Sequence, residues 1–415
     1  MSLARSSNHN RHGRLDSCIE YTDGVGSGMC TAIDLIKRNN CRNFIILEKS
    51  SSIGGTWNDN RYPGCCCDVW SHLYSYSFEQ KPDWTREYPS QEEILEYLRS
   101  VATKWGLFSH IRFNSEVTEG RWDEESNKWK VKVRVTGEKD SEFIPEYTIT
   151  SDFLVSGVGQ LNYPRYPDIE GLKDFKGKMM HSARWDWSYD LTGKRIGIIG
   201  NGATAAQILP EVLKVAKHVD IYQRTPNWVV FRQDAPVNAF WRGIYTWVPP
   251  VRWGKRAAMM AFREAFYDTI AKAESEITTL TKAMHEQALQ KAFPNDEKMR
   301  DILTPKYHPG CKRIILSDDF FPALADPKCH LETRHINKIT EKGIEVEGGE
   351  EMEYDLIVFA TGFKTVDFMH PIKLYGSNGR ALSDIWKGGA RALYGTVLED
   401  MPNFAMLYGP NTNLG

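Results

Sequence analysis

A glycine-rich turn between a strand pattern and a helix pattern constrains this 415-residue chain more than any other feature. The run Arg195–Ile199 predicts a strand, the turn follows at 200–205, and the helix pattern behind it extends to about Val215. Glycines there let the backbone approach a pyrophosphate, which the N–H groups at the helix start bind. The alternative is a tight turn without a nucleotide. The predicted dinucleotide contacts are Gly200, Gly202, Ala203 and Thr204.

The residues after the next strand indicate which dinucleotide the turn would bind. The strand pattern Val219–Gln223 is followed by Arg224 and Thr225, where an NAD-binding protein has an acidic residue for the ribose hydroxyls. An arginine suits a 2′-phosphate instead. The sequence therefore favours NADPH over NADH.

A second glycine cluster lies near the N-terminus, before a predicted helix from about Cys30 to Lys37. Its glycines are Gly24, Gly26 and Gly28, one residue short of the full GxGxxG pattern. The strand pattern Phe44–Leu47 then ends at Glu48, where a carboxylate would accept hydrogen bonds from an adenine dinucleotide's ribose. Taken alone, the cluster is equally consistent with an ordinary turn. The segment before it, 18–23, is less apolar than a buried first strand should be.

Other patterns describe the chain around these two units. Alternating apolar residues from Trp129 to Val135 predict a half-buried antiparallel strand. From Phe240 to about Phe293 the pattern is helical. One apolar stripe is expected there, from Met259, Phe262, Phe266 and Ile270. Strand patterns return after Thr333 and end at 355–359.

Composition excludes several classes of protein. The chain is 41% hydrophobic and 26% charged with a net charge of -2, which indicates a globular protein without a general attraction to nucleic acid. No apolar run approaches the length of a membrane span. Eight cysteines, three of them adjacent at 65–67, match no metal or disulfide spacing and predict a reducing, cytoplasmic location. Residues 1–17 predict a disordered leader.

Two long motifs carry a resemblance to a known family. The first comprises Gly55, Thr56, Trp57, Tyr62, Pro63, Gly64 and Asp68, and the second comprises Phe175, Gly177, His181, Trp185 and Asp186. In this order they resemble the motif and the fingerprint of class B flavin-dependent monooxygenases of the Baeyer–Villiger type. Further similar segments are 71–75, 311–313 and 360–362.

The resemblance implies an α/β fold of two doubly wound dinucleotide-binding domains, one for FAD and one for NADPH, with a helical insertion in the second. The FAD-binding domain would comprise residues 18–160 and 335–415, and the NADPH-binding domain residues 161–334 with the insertion at about 240–300. Family members continue past the segment in which residue 415 lies. We therefore expect the FAD-binding domain to lack its C-terminal part.

The resemblance also implies roles for individual residues. Arg313 would be the catalytic charge beside the oxygen that attacks the substrate, and Asp68 would position it. Lys312 would join Arg224 and Thr225 at the NADPH phosphate, while His181 and the other fingerprint residues would couple the domains. The FAD contacts would be Gly24, Gly26, Gly28, Glu48, Gly55, Thr56, Trp57, Asp68 and Tyr74.

The implied activity is insertion of one oxygen atom of O2 next to a ketone carbonyl, giving an ester or lactone in secondary metabolism. Two alternatives stay open: oxygenation of nitrogen or sulfur, for which no arginine is needed, and a catalytically impaired flavoprotein. Trp241, Trp247 and Trp253 would line a substrate entrance or simply pack between helices.

Overall fold

The computed structural model describes residues 18–22, 25–137, 141–142, 144–265, 267 and 275–412. The expected leader, Gly24, Phe266 and Ile270 lie outside these residues. The helices of the described chain are α1 Val25–Asn39, α2 Thr56–Asp59, α3 Gln91–Lys104, α4 Ala203–Leu213, α5 Ala239–Trp247, α6 Pro249–Ala265, α7 Glu276–Ala292, α8 Glu297–Leu303, α9 Phe320–Leu324 and α10 Leu382–Ile385. None of these helices is long and apolar enough to cross a membrane.

The strands of the described chain are short. They are β1 Cys18–Thr22, β2 Phe44–Glu48, β3 Ile111–Arg112, β4 Ser115–Asp123, β5 Lys128–Val135, β6 Glu146–Ser151, β7 Phe153–Ser156, β8 Lys178–His181, β9 Arg195–Ile199, β10 His218–Tyr222, β11 Val229–Val230, β12 Ile315–Leu316, β13 Cys329–Glu332, β14 Ile336–Ile339, β15 Gly343–Val346, β16 Glu351–Glu353, β17 Leu356–Phe359, β18 Lys373–Tyr375 and β19 Phe404–Met406. Single-turn 3-10 helices occur at Leu107–His110, Ser182–Arg184 and Ser377–Gly379.

The chain divides into two compact units. The first unit holds a parallel sheet with strand order β19-β7-β1-β2-β3 and a second sheet with order β18-β4-β5-β6. Strand β1 pairs with both β2 and β7 despite its polar composition. On β5, Trp129, Val131 and Val133 are fully buried while the intervening residues are exposed, which confirms the half-buried antiparallel strand expected there.

The second unit is built on a parallel sheet with order β13-β10-β9-β17-β8. Helix α4 connects β9 to β10, the βαβ arrangement expected from the glycine turn. Ile196 and Ile198 of β9 are fully buried, and burying such a side chain contributes about 1.5–3 kcal/mol each. A small antiparallel sheet, β14-β15-β16, also belongs to this unit.

The boundaries of the units differ from the expected domains. Among the described residues the first unit comprises 18–53, Ala102–Gly159 and 366–412, and the second comprises Gly54–Val101 and Gln160–Thr365. Residues 335–365 join the second unit because β17 pairs with β9 and β8. Residues 54–101 join it because their hydrogen bonds go to residues such as Gln207 and Asp234.

The helical insertion is present as α5 to α8, and of the expected apolar stripe only Met259 and Phe262 belong to the described residues. Phe262 is 53% exposed, although its ring contacts Trp70. The inward contacts of α6 are polar instead: Arg256 donates to the His72 carbonyl at 2.6 Å and Lys255 to Glu87 at 2.8 Å. Helix α6 therefore docks by hydrogen bonds and ion pairs.

Helix α7 docks through a buried histidine. Its N-cap Ser275 accepts from the Thr278 N–H, and one face of the helix then places His285 against the rings of Trp228 and Phe321. The Val229 N–H donates to Nδ1 of His285 at 3.0 Å. Burial lowers the pKa of His285 to about 4, because the charged imidazolium would lose its hydration.

We expect His285 to make this unit acid-sensitive. The folded pKa lies below the unfolded one, so protonation favours the unfolded state as the pH falls from about 6.5 toward 4. For one histidine the loss in free energy of unfolding between pH 7.5 and pH 5 is about 2 kcal/mol. Urea unfolding of wild type and His285→Phe at both pH values measures it, and the variant should lose correspondingly less. An equal loss in both would contradict the assignment; His335→Phe, at an exposed histidine, is the control.

Candidate active site

The glycine turn at 200–202 is shaped by its contacts. Gly200 has φ +111°, and a Cβ there would lie 2.5 Å from the Ala360 carbonyl oxygen. Gly202 caps α4 without a side-chain hydrogen bond, and a Cβ there would meet nothing within 4 Å. The first glycine is therefore required by packing, whereas the second leaves open space before the helix start. That combination fits a pyrophosphate.

Side chains behind the turn hold it to the end of β10. The Asn201 amide donates to Gln223 Oε1 at 2.8 Å and to the Thr225 carbonyl at 2.9 Å. Gln223, buried directly before Arg224, thus supports the turn. The next residue, Arg224, is exposed, as is Lys312, whose Nζ lies 4.9 Å from the Tyr307 ring. Both cations are accessible to an anionic ligand.

Arg313 and Asp68 form a bidentate pair. Nε and Nη2 of Arg313 each donate to one Asp68 carboxylate oxygen at 2.7 Å. The pair is partly exposed, with 49% of the Arg313 side chain and 23% of the Asp68 side chain accessible. Exposed ion pairs stabilise a fold by at most about 1 kcal/mol. Stability alone therefore gives a weak reason for this arrangement.

The three adjacent cysteines lie in the loop before Asp68. Burial raises the pKa of Cys65 to about 12 and also raises that of Cys66, whose Sγ lies 2.7 Å from Arg232 Nη1. Protonated thiols are poor metal ligands. No grouping of three or more potential metal ligands occurs among the described residues. Cys311, next to Lys312, is by contrast exposed.

Part of the expected FAD set lies in the second unit, around helix α2. Gly55, with φ +48°, precedes the helix, and Thr56 and Trp57 form its first turn. The Trp57 indole N–H donates to the Tyr74 hydroxyl at 2.9 Å, with the two rings at 81°. The structure thus brings Trp57 and Tyr74 together in one aromatic pair.

The rest of the FAD set lies in the first unit. Glu48 is buried at the end of β2, and its Oε1 accepts from the Ser50 N–H at 2.9 Å. Gly26 and Gly28 lie inside the first turns of α1, which begins at Val25 rather than near Cys30. The carboxylate fits a ribose contact. The two helical glycines fit a phosphate loop less well than expected.

The fingerprint residues are close-packed around β8. A Cβ on Gly177 would lie 2.5 Å from the Phe175 ring and 2.9 Å from the Asp355 carbonyl, so only glycine fits there. Trp185 packs against the main hydrophobic core of this unit. Asp186 accepts from Lys178 Nζ at 2.6 Å, and this bond lowers the pKa of Asp186 to about 2.

His181 ends β8 and is buried. Its Nδ1 accepts from the Ala183 N–H at 3.1 Å, and its ring lies 5.3 Å from that of Tyr166 and 6.0 Å from that of Phe363. Burial lowers its pKa to about 4, so the imidazole is neutral at pH 7. The segments 163–166 and 361–364 beside it lie within a few residues of positions 159–160 and 365–366, two of the points where the chain passes from one unit to the other.

The chain is similar to known proteins over most of its length. Residues 43–373 match the family model described as flavin-binding monooxygenase-like. The chain belongs to that family. The family expected from the two long motifs is thus confirmed. Relatives that are named Baeyer–Villiger monooxygenases confirm the resemblance to that type.

The relatives are similar over nearly all of this chain. An FAD-binding monooxygenase of Aspergillus niger is 53% identical over 393 residues, which is 94% of this chain and 64% of the relative. A Baeyer–Villiger monooxygenase of Streptomyces coelicolor is 39% identical over 94% of this chain and 73% of its own length. The chain therefore spans less than two thirds of the Aspergillus relative.

Solved structures show the same fold. The crystal structure of cyclohexanone monooxygenase from Rhodococcus sp. Phi1 bound to NADP+ has a TM-score of 0.81 and 27% identity. The match covers 95% of this chain and 80% of that one. An oxidised steroid monooxygenase bound to NADP has a TM-score of 0.80 and 28% identity over 95% of this chain and 80% of that one. The α/β dinucleotide-binding fold expected for this flavin-binding monooxygenase-like chain is confirmed.

Sequence patterns missed three polar residues of the site. Gln207 and Arg232 contact the loop that precedes Asp68, and Asn201 holds the glycine turn. Asn201 occupies a variable position of the motif, so the motif gave no reason to select it. Gln207 could have been found from its spacing. It comes three residues after Thr204 on a predicted helix, so the two side chains lie on the same face.

The two glycines of the turn should respond differently to alanine. Gly200→Ala forces a Cβ onto the Ala360 carbonyl at a positive φ, so it should lower the free energy of unfolding by about 1–3 kcal/mol and also weaken NADP+ binding. Gly202→Ala should weaken NADP+ binding with a stability change below about 1 kcal/mol. Urea unfolding and calorimetric titration with NADP+ measure both quantities. Equal losses of stability in the two variants would contradict the different roles assigned to Gly200 and Gly202.

Proposed function

We propose that this protein is an FAD- and NADPH-dependent monooxygenase that inserts one oxygen atom of O2 next to a ketone carbonyl, forming an ester or lactone. The observation that carries the proposal is the bidentate Arg313–Asp68 pair, which joins the two residues that the family resemblance assigned to the catalytic site. Bound FAD would accept hydride from NADPH and activate O2. The residues of this chain supply charge and position.

Arg313 provides a permanent positive charge in a fixed orientation. A guanidinium stays charged at every relevant pH and presents its N–H groups in a rigid plane. Asp68 holds that plane through two hydrogen bonds of 2.7 Å, so the charge needs no reorganisation as negative charge develops on the attacking oxygen and on the ketone oxygen. Asp68 acts through Arg313 as a positioning residue.

The nicotinamide cofactor would bind at the glycine turn. Gly200, Gly202, Ala203 and Thr204 would receive its pyrophosphate at the start of α4. Arg224 and Lys312, both exposed, would bind the 2′-phosphate with Thr225 beside them. Two charge-assisted contacts to a single phosphate favour NADPH over NADH.

FAD would be bound by the residues that the family resemblance assigns to it. Glu48 would accept from its ribose hydroxyls, with Gly24, Gly26 and Gly28 near its pyrophosphate. Gly55, Thr56 and the Trp57–Tyr74 pair would supply further contacts to FAD.

His181 would link domain motion to catalysis rather than transfer protons. Its neutral ring contacts the segments of Tyr166 and Phe363, which are themselves joined by backbone hydrogen bonds from Arg165 to Gly362 and from Lys364 to Tyr163. The other fingerprint residues, Phe175, Gly177, Trp185 and Asp186, fix the strand that presents it. A cytoplasmic location and a part in secondary metabolism belong to the same proposal.

The competing activity is oxygenation of nitrogen or sulfur. That chemistry needs no fixed arginine, so the Arg313–Asp68 pair favours ketone oxygenation. Anaerobic mixing with NADPH while flavin absorbance is followed, then admission of air and a panel of cyclic and aryl ketones, separates the two activities by product. A purified chain without a flavin spectrum would instead support a protein that is not an enzyme.

Replacing Arg224 should change cofactor preference. We expect wild type to prefer NADPH over NADH by more than about tenfold, since each charge-assisted hydrogen bond contributes about 1.5–3 kcal/mol. Arg224→Ala should weaken NADPH binding far more than NADH binding, measured as flavin reduction rates at subsaturating cofactor. Arg263→Ala, at an exposed arginine of α6, is the control. An equal loss for both cofactors would make Arg224 a structural residue.

Replacing Arg313 should separate reduction from oxygenation. In Arg313→Ala, NADPH should still reduce the flavin, because the residues assigned to NADPH are unchanged, while ester formation should fall by about 100 to 1,000-fold. NADPH would then be consumed with hydrogen peroxide as product. Arg313→Lys should rescue poorly, since a flexible point charge cannot reproduce the bidentate geometry. The proposed ketone oxygenation would be contradicted if Arg313→Ala formed ester at a rate within a factor of about three of wild type, because the loss expected for such a donor is larger.

A further inference from the structure

We propose that Gln207 is a positioning residue that fixes the Asp68 loop, residues 62–68, onto helix α4. Its side-chain amide uses both ends on this loop. Oε1 accepts from the Tyr62 hydroxyl at 2.9 Å and from the Cys66 N–H at 3.3 Å, and Nε2 donates to the Cys66 carbonyl at 3.1 Å. The inference rests on the proposed function, because it concerns the loop that carries Asp68.

The chemistry of the contact requires an amide. Gln207 pairs with the N–H and the carbonyl of one residue, Cys66, as a neighbouring strand would. Leucine has a similar size but leaves both backbone groups without this partner, and a glutamate loses the donor to the carbonyl. An asparagine is one methylene shorter. Glutamine at this position therefore specifies where the loop lies.

The loop also approaches the helix backbone closely. Gly64 has φ +75°, and a Cβ there would lie 2.5 Å from the Gln207 carbonyl oxygen and 3.0 Å from Glu211 Cγ. Any side chain at residue 64 would push the loop away from α4. Tyr62 and Gly64 of the long motif therefore serve the same contact that Gln207 completes.

Other contacts restrain Cys66 and its neighbours from the remaining sides. Arg232 Nη1 lies 2.7 Å from the Cys66 sulfur, the Cys67 N–H donates to the Pro89 carbonyl at 3.0 Å, and the Gln91 N–H donates to the Cys65 carbonyl at 3.1 Å. Asp68 follows two residues later. The distance between Asp68 and Arg313 therefore depends on where these contacts hold Cys66.

Helix α4 links this position to the cofactor turn. Its first residue, Ala203, follows Gly202, and Thr204 lies three residues before Gln207 on the same face. One rigid helix would thus define both where the nicotinamide cofactor binds and where Asp68 holds Arg313. A small displacement of a catalytic group costs a large factor in rate. Loss of Gln207 should therefore reduce ester formation more than cofactor binding.

The test combines hydrogen exchange with product analysis on the purified full chain. In Gln207→Leu the amides of residues 62–68 should exchange about tenfold faster than in wild type, and in Tyr62→Phe about threefold faster, because fewer hydrogen bonds hold the loop. The amides of Ile196–Ile198 report on global stability and should not change. Gln287→Leu, at an exposed glutamine of α7, is the matched control.

Product analysis then separates positioning from packing. In Gln207→Leu the ester formed per NADPH consumed should fall by about fivefold or more, while the KM for NADPH stays within a factor of about three, because Arg224 and Lys312 still bind the phosphate. Unchanged exchange at 62–68 would overturn the inference. Faster exchange with an unchanged ester ratio would also overturn it, since the contact would then be only structural.

Failure of the proposed function would look different. If wild type forms no ester from any ketone, the activity is wrong, but the exchange comparison still tests whether Gln207 fixes the loop. Faster exchange of the 62–68 amides only together with those of Ile196–Ile198 would indicate general destabilisation and would overturn the inference. Tyr62→Phe, which removes a single hydrogen bond, provides the readout if Gln207→Leu does not fold.

Discussion

The close packing of Gly200 against the Ala360 carbonyl organises the second unit. Gly200 follows β9 and lies between the ends of the two strands that flank it: its N–H donates to the Tyr222 carbonyl at the end of β10, and the Ala360 N–H after β17 donates to the Ile199 carbonyl. A side chain at residue 200 would separate these strand ends. Because the strands are parallel, the segments that follow β8, β9, β10 and β17 all emerge at one edge of the sheet. His181, the glycine turn, Arg224 and Gly362 lie at or just after the ends of these four strands.

Local patterns predicted the framework around that edge well. The strand at Arg195–Ile199 has the expected bounds, and β10 is displaced by one residue from the expected Val219–Gln223. The N-terminal counterpart was less well predicted, because α1 begins at Val25 and takes Gly26 and Gly28 into the helix. A strand can be predicted from the alternation or run of apolar residues within a few positions. The start of a helix depends on capping contacts, for which this sequence has no strong pattern at α1.

The site could be predicted only where a motif joined distant segments. Asp68 and Arg313 are separated by most of the second unit's sequence, and only the family resemblance connected them before the structure showed their hydrogen bonds. Gln207 matched no motif. The apolar stripe expected on the helical insertion was wrong at Phe262 for a related reason. Lys255 and Arg256 of α6 bind polar groups in another segment. The periodicity of apolar residues cannot predict packing through polar contacts of this kind.

The contrast between the cysteines makes this site accessible to chemical labelling. A thiol reacts as its thiolate, and burial raises the pKa of Cys65 to about 12 and raises that of Cys67 as well, so the thiols next to Asp68 resist alkylation. Cys311 is exposed and lies two residues from Arg313. A fluorescent or spin label attached there would report on the arginine's surroundings without altering the charged pair itself.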